Sequence, residues 1–230
     1  MILPVPSPIG LLVSGGLDSC ILLGHLLEQG RSVQPFYVRC HLHWEPEELR
    51  AVRRFCAALR CRRLQELIVL DLPLADLYQD HWSLDGRLAP DATTPDEAVY
   101  LPGRNPLLLI KAALWCQLNG IEHLALALLG SNPFPDATAR FFAAFETALG
   151  LAAEASLTIE RPFGHLHKPD VMRLGRSLPL DLTFSCIAPS DGRHCGECNK
   201  CGERRAAFHA ADMADPTHYA NAQRRRCVEA

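Results

Sequence analysis

Residues 12–19 read LVSGGLDS, in which two hydroxyls, two glycines and one carboxylate separate one short apolar run from the next. A strand that ends in Ser-Gly-Gly and passes at once into a helix gathers backbone N–H groups and the positive end of a helix dipole at one spot, which suits phosphate. Glycine is needed where backbone must approach an anion closely or take positive φ, the places held by Gly15 and Gly16, and Ser14 and Ser19 add hydroxyl donors. No lysine precedes Ser19 and the spacing is not G-x-G-x-x-G, so two common phosphate loops are excluded. Asp18 would repel a phosphate; it either holds a Mg²⁺ that bridges phosphates or turns away to cap the helix. An ordinary strand-to-helix turn is the competing reading of this string taken alone.

A second group is C-x8-C-x2-C-x2-C, formed by Cys186, Cys195, Cys198 and Cys201 within SCIAPSDGRHCGECNKC. Four thiolates at this spacing, with glycines for tight turns, suit a tetrahedral Zn²⁺. A closed shell leaves no position for a reacting water, so its work is structural, and metal binding supplies folding energy to a segment with little core. An iron–sulfur cluster takes the same four ligands and is the rival. His194 is a poor substitute ligand because it adjoins Cys195.

The elements that position these groups alternate. Apolar runs at residues 9–13, 33–38, 67–70 and 121–129 read as strands, and 157–163 as an extended segment. Helical spacing follows from Leu17, from Pro46 and Glu47 at a first turn, from Asn105 to a stop at Gly120, and over residues 137–149 and 168–178. Residues 71–99, rich in Pro, Asp and Thr, are expected to form a long surface loop. Strand and helix in alternation predict an α/β fold, a doubly wound and mainly parallel sheet with helices on both faces. The periodicity fades near Pro179, which divides an α/β unit (1–180) from a small zinc-binding segment built on the four cysteines (181–230).

The 230 residues suffice for one such domain with an appendage. A hydrophobic fraction of 48% with 21% charged residues, and no run of about 18 apolar residues, excludes a membrane span and predicts a soluble chain. MILPVPSPIG has neither a signal-peptide nor a transit-peptide pattern, so a cytoplasmic location is expected, with the ten cysteines as thiols or metal ligands. A net charge of −3 speaks against direct nucleic-acid binding, although Arg193, Lys200, Arg204, Arg205, Arg224, Arg225 and Arg226 make the C-terminal region locally basic. Phe141, Phe142 and Phe145 read as core, Glu45, Glu47 and Glu48 as a favourable first-turn charge cluster, and His41 and His43 as strand-end histidines.

The string S-G-G-x-D-S after the first strand resembles the pyrophosphate loop of the N-type ATP pyrophosphatases. YLPGRNPLLLIKAALW is similar to the V-P-G-R-N segment of the 7-cyano-7-deazaguanine synthases within that superfamily, and RPFGHLHKPDVMRLGRSL to their lysine-bearing helix. The cysteine cluster follows in the same order, and CGERRAAFHAADMADPTHYA resembles the family's tail. The resemblance spans most of the chain and implies an ATP-dependent C–N ligase that adenylates a deazapurine carboxylate and lets ammonia displace AMP. It implies that Ser14, Gly15, Gly16, Leu17, Asp18 and Ser19 hold ATP phosphates with Mg²⁺, and that Lys168 neutralises charge developing on pyrophosphate. Arg104 joins Asp18 and Lys168 in catalysis, Asn105 and Asp136 contribute to the nucleotide site, Zn²⁺ fills the cysteine cluster, and a homodimer is expected. For Asn105 a helix cap serves equally well. The family's S-G-Y-P-D-C-R is here SNPFPDAT, keeping only Pro135 and Asp136, and its F-D-Y-G-Q-x-H is replaced by YVRCHLHWEPEEL. Two readings compete: an amidating or thiolating enzyme of the superfamily acting on tRNA, and a non-catalytic ATP-binding module.

Overall fold

A computed structural model describes residues 7–153 and 155–221. The basic residues Arg224, Arg225 and Arg226 lie outside the described residues, as do the first six residues of the N-terminal stretch.

Five parallel strands form the sheet: β1 (Ile9–Leu12), β2 (Val33–Arg39), β3 (Ile68–Asp71), β4 (His123–Ala125) and β5 (Thr158–Glu160), in the order β3-β2-β1-β4-β5. Parallel strands need crossovers, supplied by α1 (Leu17–Glu28), α2 (Glu45–Ala58), α5 (Arg104–Leu118) and α6 (Ala139–Ala153). The chain steps outward from β1 to β2 and β3, then returns to β4 on the other side. That reversal opens a crevice at the carboxyl ends of β1 and β4, where such sheets bind ligands.

Burial on both faces explains the run-like strands. On one face Ile21, Leu22 and Leu26 of α1 pack with Phe55 of α2, with Val171 and Met172 of α7 (Lys168–Leu174), and with Phe208 of α8 (Asn199–Ala210). On the other, Leu109, Ala112 and Cys116 of α5 meet Phe142 and Leu149 of α6. Phe141 and Phe145 pack against that second group, as their spacing predicts. α5 lies close because Gly10 has no side chain; a Cβ there would stand 2.8 Å from Cys116 Sγ and 3.0 Å from the Phe36 ring. A third cluster over the carboxyl end of the sheet joins Val38, Trp44, Leu101 and Phe184 to Cys186, Cys198 and Cys201.

Several local expectations are corrected. Residues 71–99 are not one open loop: they carry the single turns α3 (Ala75–Tyr78) and α4 (Trp82–Asp85) and a 3-10 turn at Asp96–Val99. His81 caps α4 by accepting from Ser83 N, and Gly86, at φ +76°, ends it. The fourth strand stops at Ala125, and the fifth spans Thr158–Glu160 alone. α7 ends at Leu174 rather than 178, where Gly175 packs so tightly that a Cβ would stand 2.5 Å from Ile21. No helix among the described residues is long and apolar enough to cross a membrane.

Candidate active site

A cavity of about 310 Å³ occupies the crevice beyond β1 and β4, lined by Ser14, Gly16, Asp18 and Ser19 on one side and Leu126, Ala127 and Leu128 on the other. The glycine loop is held by its own backbone contacts. Gly15 sits at φ +76°, a conformation open to glycine, and a Cβ there would meet Glu48 O at 3.0 Å. Its own carbonyl accepts from Phe184 N at 2.7 Å, tying the loop to the C-terminal segment. Ser14 N donates to Ser19 Oγ at 3.1 Å, and the two hydroxyls also meet at 3.1 Å. Gly16 precedes α1 without a side-chain cap, so the first-turn N–H groups remain for a ligand. Leu17 is buried in the core, leaving its backbone N–H as the part it offers.

Asp18 does not cap α1. Lys168 Nζ, from the first residue of α7, donates to Asp18 Oδ1 at 2.9 Å and Oδ2 at 2.8 Å, with Glu203 of α8 at 3.5 Å. Burial opposes the lysine's charge, but Asp18 and Glu203 outweigh it and hold the ammonium above its ordinary value. Arg104 opens α5 at the cavity wall with its Nε buried and, among the described residues, without a hydrogen-bond partner. A buried donor of this kind marks a place for an acceptor.

Asn105 is not a helix cap, because Gly103 holds that position. Its backbone N–H donates to Asp136 Oδ2 and its side-chain amide to Asp136 Oδ1 and O, each at 3.2 Å. Both carboxylate oxygens of the buried Asp136 are therefore engaged, and its partner Asn105 lines the cavity. The bonds clamp the segment SNPFPDAT to the start of α5, and Phe134 stacks on Tyr100 at 4.7 Å.

Glu48 and Arg204 line the cavity and are missed by the sequence reading. Glu45, Glu47 and Glu48 do stand in the first turn of α2, but two of them are buried: Glu45 accepts from Cys40 N and His41 N, each at 2.7 Å, and Glu48 from the Tyr37 hydroxyl at 2.7 Å. Burial raises the Glu48 carboxyl to about 7, against the pull of Arg104 and the Tyr37 hydrogen bond. Arg204, 2% exposed, donates to Thr217 Oγ1, Thr183 Oγ1, Ser185 Oγ and Leu180 O. The signal was periodicity: Glu48 shares a helical stripe with Val52 and Phe55, and Arg204 with Ala207, Phe208 and Ala211. A charge on a buried stripe is a candidate for function or for a satisfied network.

Cys186, Cys195, Cys198 and Cys201 place their sulfurs within 4.8 Å of one another, with Cys186 to Cys198 at 3.7 Å and Cys195 to Cys201 at 3.9 Å. Tetrahedral zinc with Zn–S of about 2.3 Å sets its sulfurs roughly 3.8 Å apart, so the four fit that ion. N–H groups of Cys195, Gly196, Glu197 and Cys198 aim at the sulfurs at 3.3–3.4 Å, as a negative cluster requires. His194 stands outside the set, its Nε2 accepting from Ser185 N at 3.1 Å. The cluster holds Ser185, Ile187, Lys200 and Glu203 at the cavity. His41 pairs instead with Asp71 at 2.7 Å, and the His43 ring packs on Gly86.

Residues 9–212 match the family model described as queuosine biosynthesis protein QueC. The chain is 34% identical over 220 residues to the 7-cyano-7-deazaguanine synthase of Azoarcus sp. (strain BH72), covering 90% of this chain and 95% of that one. The synthase of Cupriavidus necator is 34% identical over 223 residues, with the same coverage, and that of Xanthomonas campestris pv. campestris (strain B100) 32% over 219, covering 91% and 96%. A parallel sheet with a Ser-Gly-Gly loop at its switch point, a four-cysteine cluster beside it, and these matches over nearly the whole length lead to one assignment: the chain belongs to the QueC family.

Proposed function

We propose that the protein is an ATP-dependent C–N ligase that adenylates 7-carboxy-7-deazaguanine and uses ammonia to form the amide and then the nitrile. The carrying observation is the Lys168–Asp18 pair at 2.8 Å, set against a glycine loop whose first helical turn is uncapped. A carboxylate oxygen is a poor leaving group, and coupling it to AMP makes the carbon attackable. The N–H groups of Gly16, Leu17 and Ser19 and the Ser14 and Ser19 hydroxyls hold phosphate oxygens. Lys168 meets the charge that develops on pyrophosphate, and Arg104 brings its unpartnered Nε to an anionic group. Mg²⁺, held with Asp18, would supply charge neutralisation on the phosphates. Asn105, which lines the cavity, completes the nucleotide site with Asp136 bonded behind it. Zn²⁺ in the cysteine cluster keeps the C-terminal side of the cavity in place. The same reading expects a homodimer working in the cytoplasm.

The test is mass spectrometry of products after incubation with ATP, Mg²⁺, ammonia and 7-carboxy-7-deazaguanine. Amide and nitrile with AMP and pyrophosphate are expected. Absence of both organic products overturns the substrate assignment, and absence of AMP with any carboxylate overturns the ligase.

A further inference from the structure

Residues 49–65 read LRAVRRFCAALRCRRLQ and hold six of the chain's 23 lysines and arginines with no acidic residue, in a protein of net charge −3. Arg50, Arg53 and Arg54 stand three and four apart on α2, which places them on one exposed stripe, opposite the buried Ala51, Val52 and Phe55. Arg60, Arg62 and Arg63 continue the exposed positive charge past the helix end. At the other end, the stripe borders a groove of about 650 Å³ at the carboxyl end of β2, whose charged lining is Arg39, His41, Glu45, Arg50, Arg53 and Arg54.

Three of the acidic groups nearby are already engaged, while the exposed Glu66 follows the basic run. Asp71 takes His41, Glu45 takes the Cys40 and His41 N–H groups, and Glu47 lies 3.9 Å from Arg50. Among the described residues, Arg39, Arg53, Arg54, Arg60, Arg62 and Arg63 form no ion pair.

We infer that this groove and stripe bind the phosphate backbone of a nucleic-acid strand, apart from the ATP cavity on the inner side of α2. Uncompensated charge spread along a helix and beyond its end fits a polyanion rather than a single phosphate. Arginine throughout suits bidentate phosphate contacts. The stripe exposes no large apolar residue, as insertion at a membrane surface would need. Phe55, the one aromatic of residues 49–65, is buried on the opposite face, so the contacts read backbone charge and not base sequence. The chain's net charge averages over this local concentration.

The experiment is fluorescence anisotropy of the full chain with a labelled oligouridine, at several salt concentrations, with anionic phosphatidylglycerol vesicles and polyglutamate as competitors. Binding near ~10⁻⁵ M is expected, falling with a log–log salt slope of about −0.7 for each phosphate neutralised. Arg53→Glu with Arg54→Glu should weaken it at least tenfold and flatten the slope, with AMP formation unchanged; Arg53→Gln with Arg54→Gln serves if reversal impairs folding. No binding by the wild type, equal binding by the folded variant, or preference for vesicles or polyglutamate overturns the inference.

Discussion

Lys168 Nζ stands 2.8 Å from Asp18 Oδ2 across 150 positions of sequence, joining the first turn of α7 to the first turn of α1 at the cavity. Each charge has the other as its nearest ionic partner. Asp18→Asn and Lys168→Met should each lower the rate of AMP release by at least about 100-fold, an electrostatic contribution of roughly 3 kcal/mol. A thermal melt should show both variants folded, since the pair is partly solvated. Unchanged release by either would remove that residue from the reaction.

Glu48 makes stability depend on pH. Its folded carboxyl titrates at about 7 because burial disfavours the charge, whereas the unfolded chain titrates near its ordinary value of 4.5. Between those values the native state holds a proton that the unfolded state has released. Stability from this group is therefore present below 4.5 and declines as pH rises towards 7, by up to about 1.4 kcal/mol per pH unit. Urea midpoints measured across that window should fall for the wild type, and Glu48→Gln should remove this component of the fall.

Arg204→Lys should behave as a core defect rather than a conservative change. Four oxygens accept from the Arg204 guanidinium, which also lies over the Phe208 ring at 5.3 Å. A lysine ammonium cannot reproduce that planar fork, so acceptors are left unpaired at a cost of about 2–4 kcal/mol. Denaturant unfolding gives the loss directly; a change below about 0.5 kcal/mol would show that the network is dispensable.

The cysteine cluster should carry one zinc, measurable by elemental analysis, and Cys198→Ser should release it. With the third core cluster built on Cys186, Cys198 and Cys201, loss of the ion should lower the melting temperature by about 10 °C. Iron in place of zinc, or no shift on chelation, would contradict a structural zinc.

Features whose physics is local could be read without coordinates. Apolar runs announce β1, β2 and β4 because a strand buried on both faces is largely apolar, whereas the edge strands β3 and β5 are buried only in part. Ser14-Gly15-Gly16 announces a tight strand-to-helix turn because the positive φ resides in Gly15 itself, and the C-x8-C-x2-C-x2-C spacing brings four sulfurs together through short turns. Partners distant in sequence were decided by the tertiary fold alone. Lys168 stands within hydrogen-bond reach of Asp18 because α7 packs on α1, and Asp136 is occupied by Asn105 because its segment closes onto α5. Glu48 and Arg204 carry charges that composition alone does not place, and their helices turn those positions inward. Which way a helix faces is a property of the packed molecule, and so is the wall of the cavity it builds.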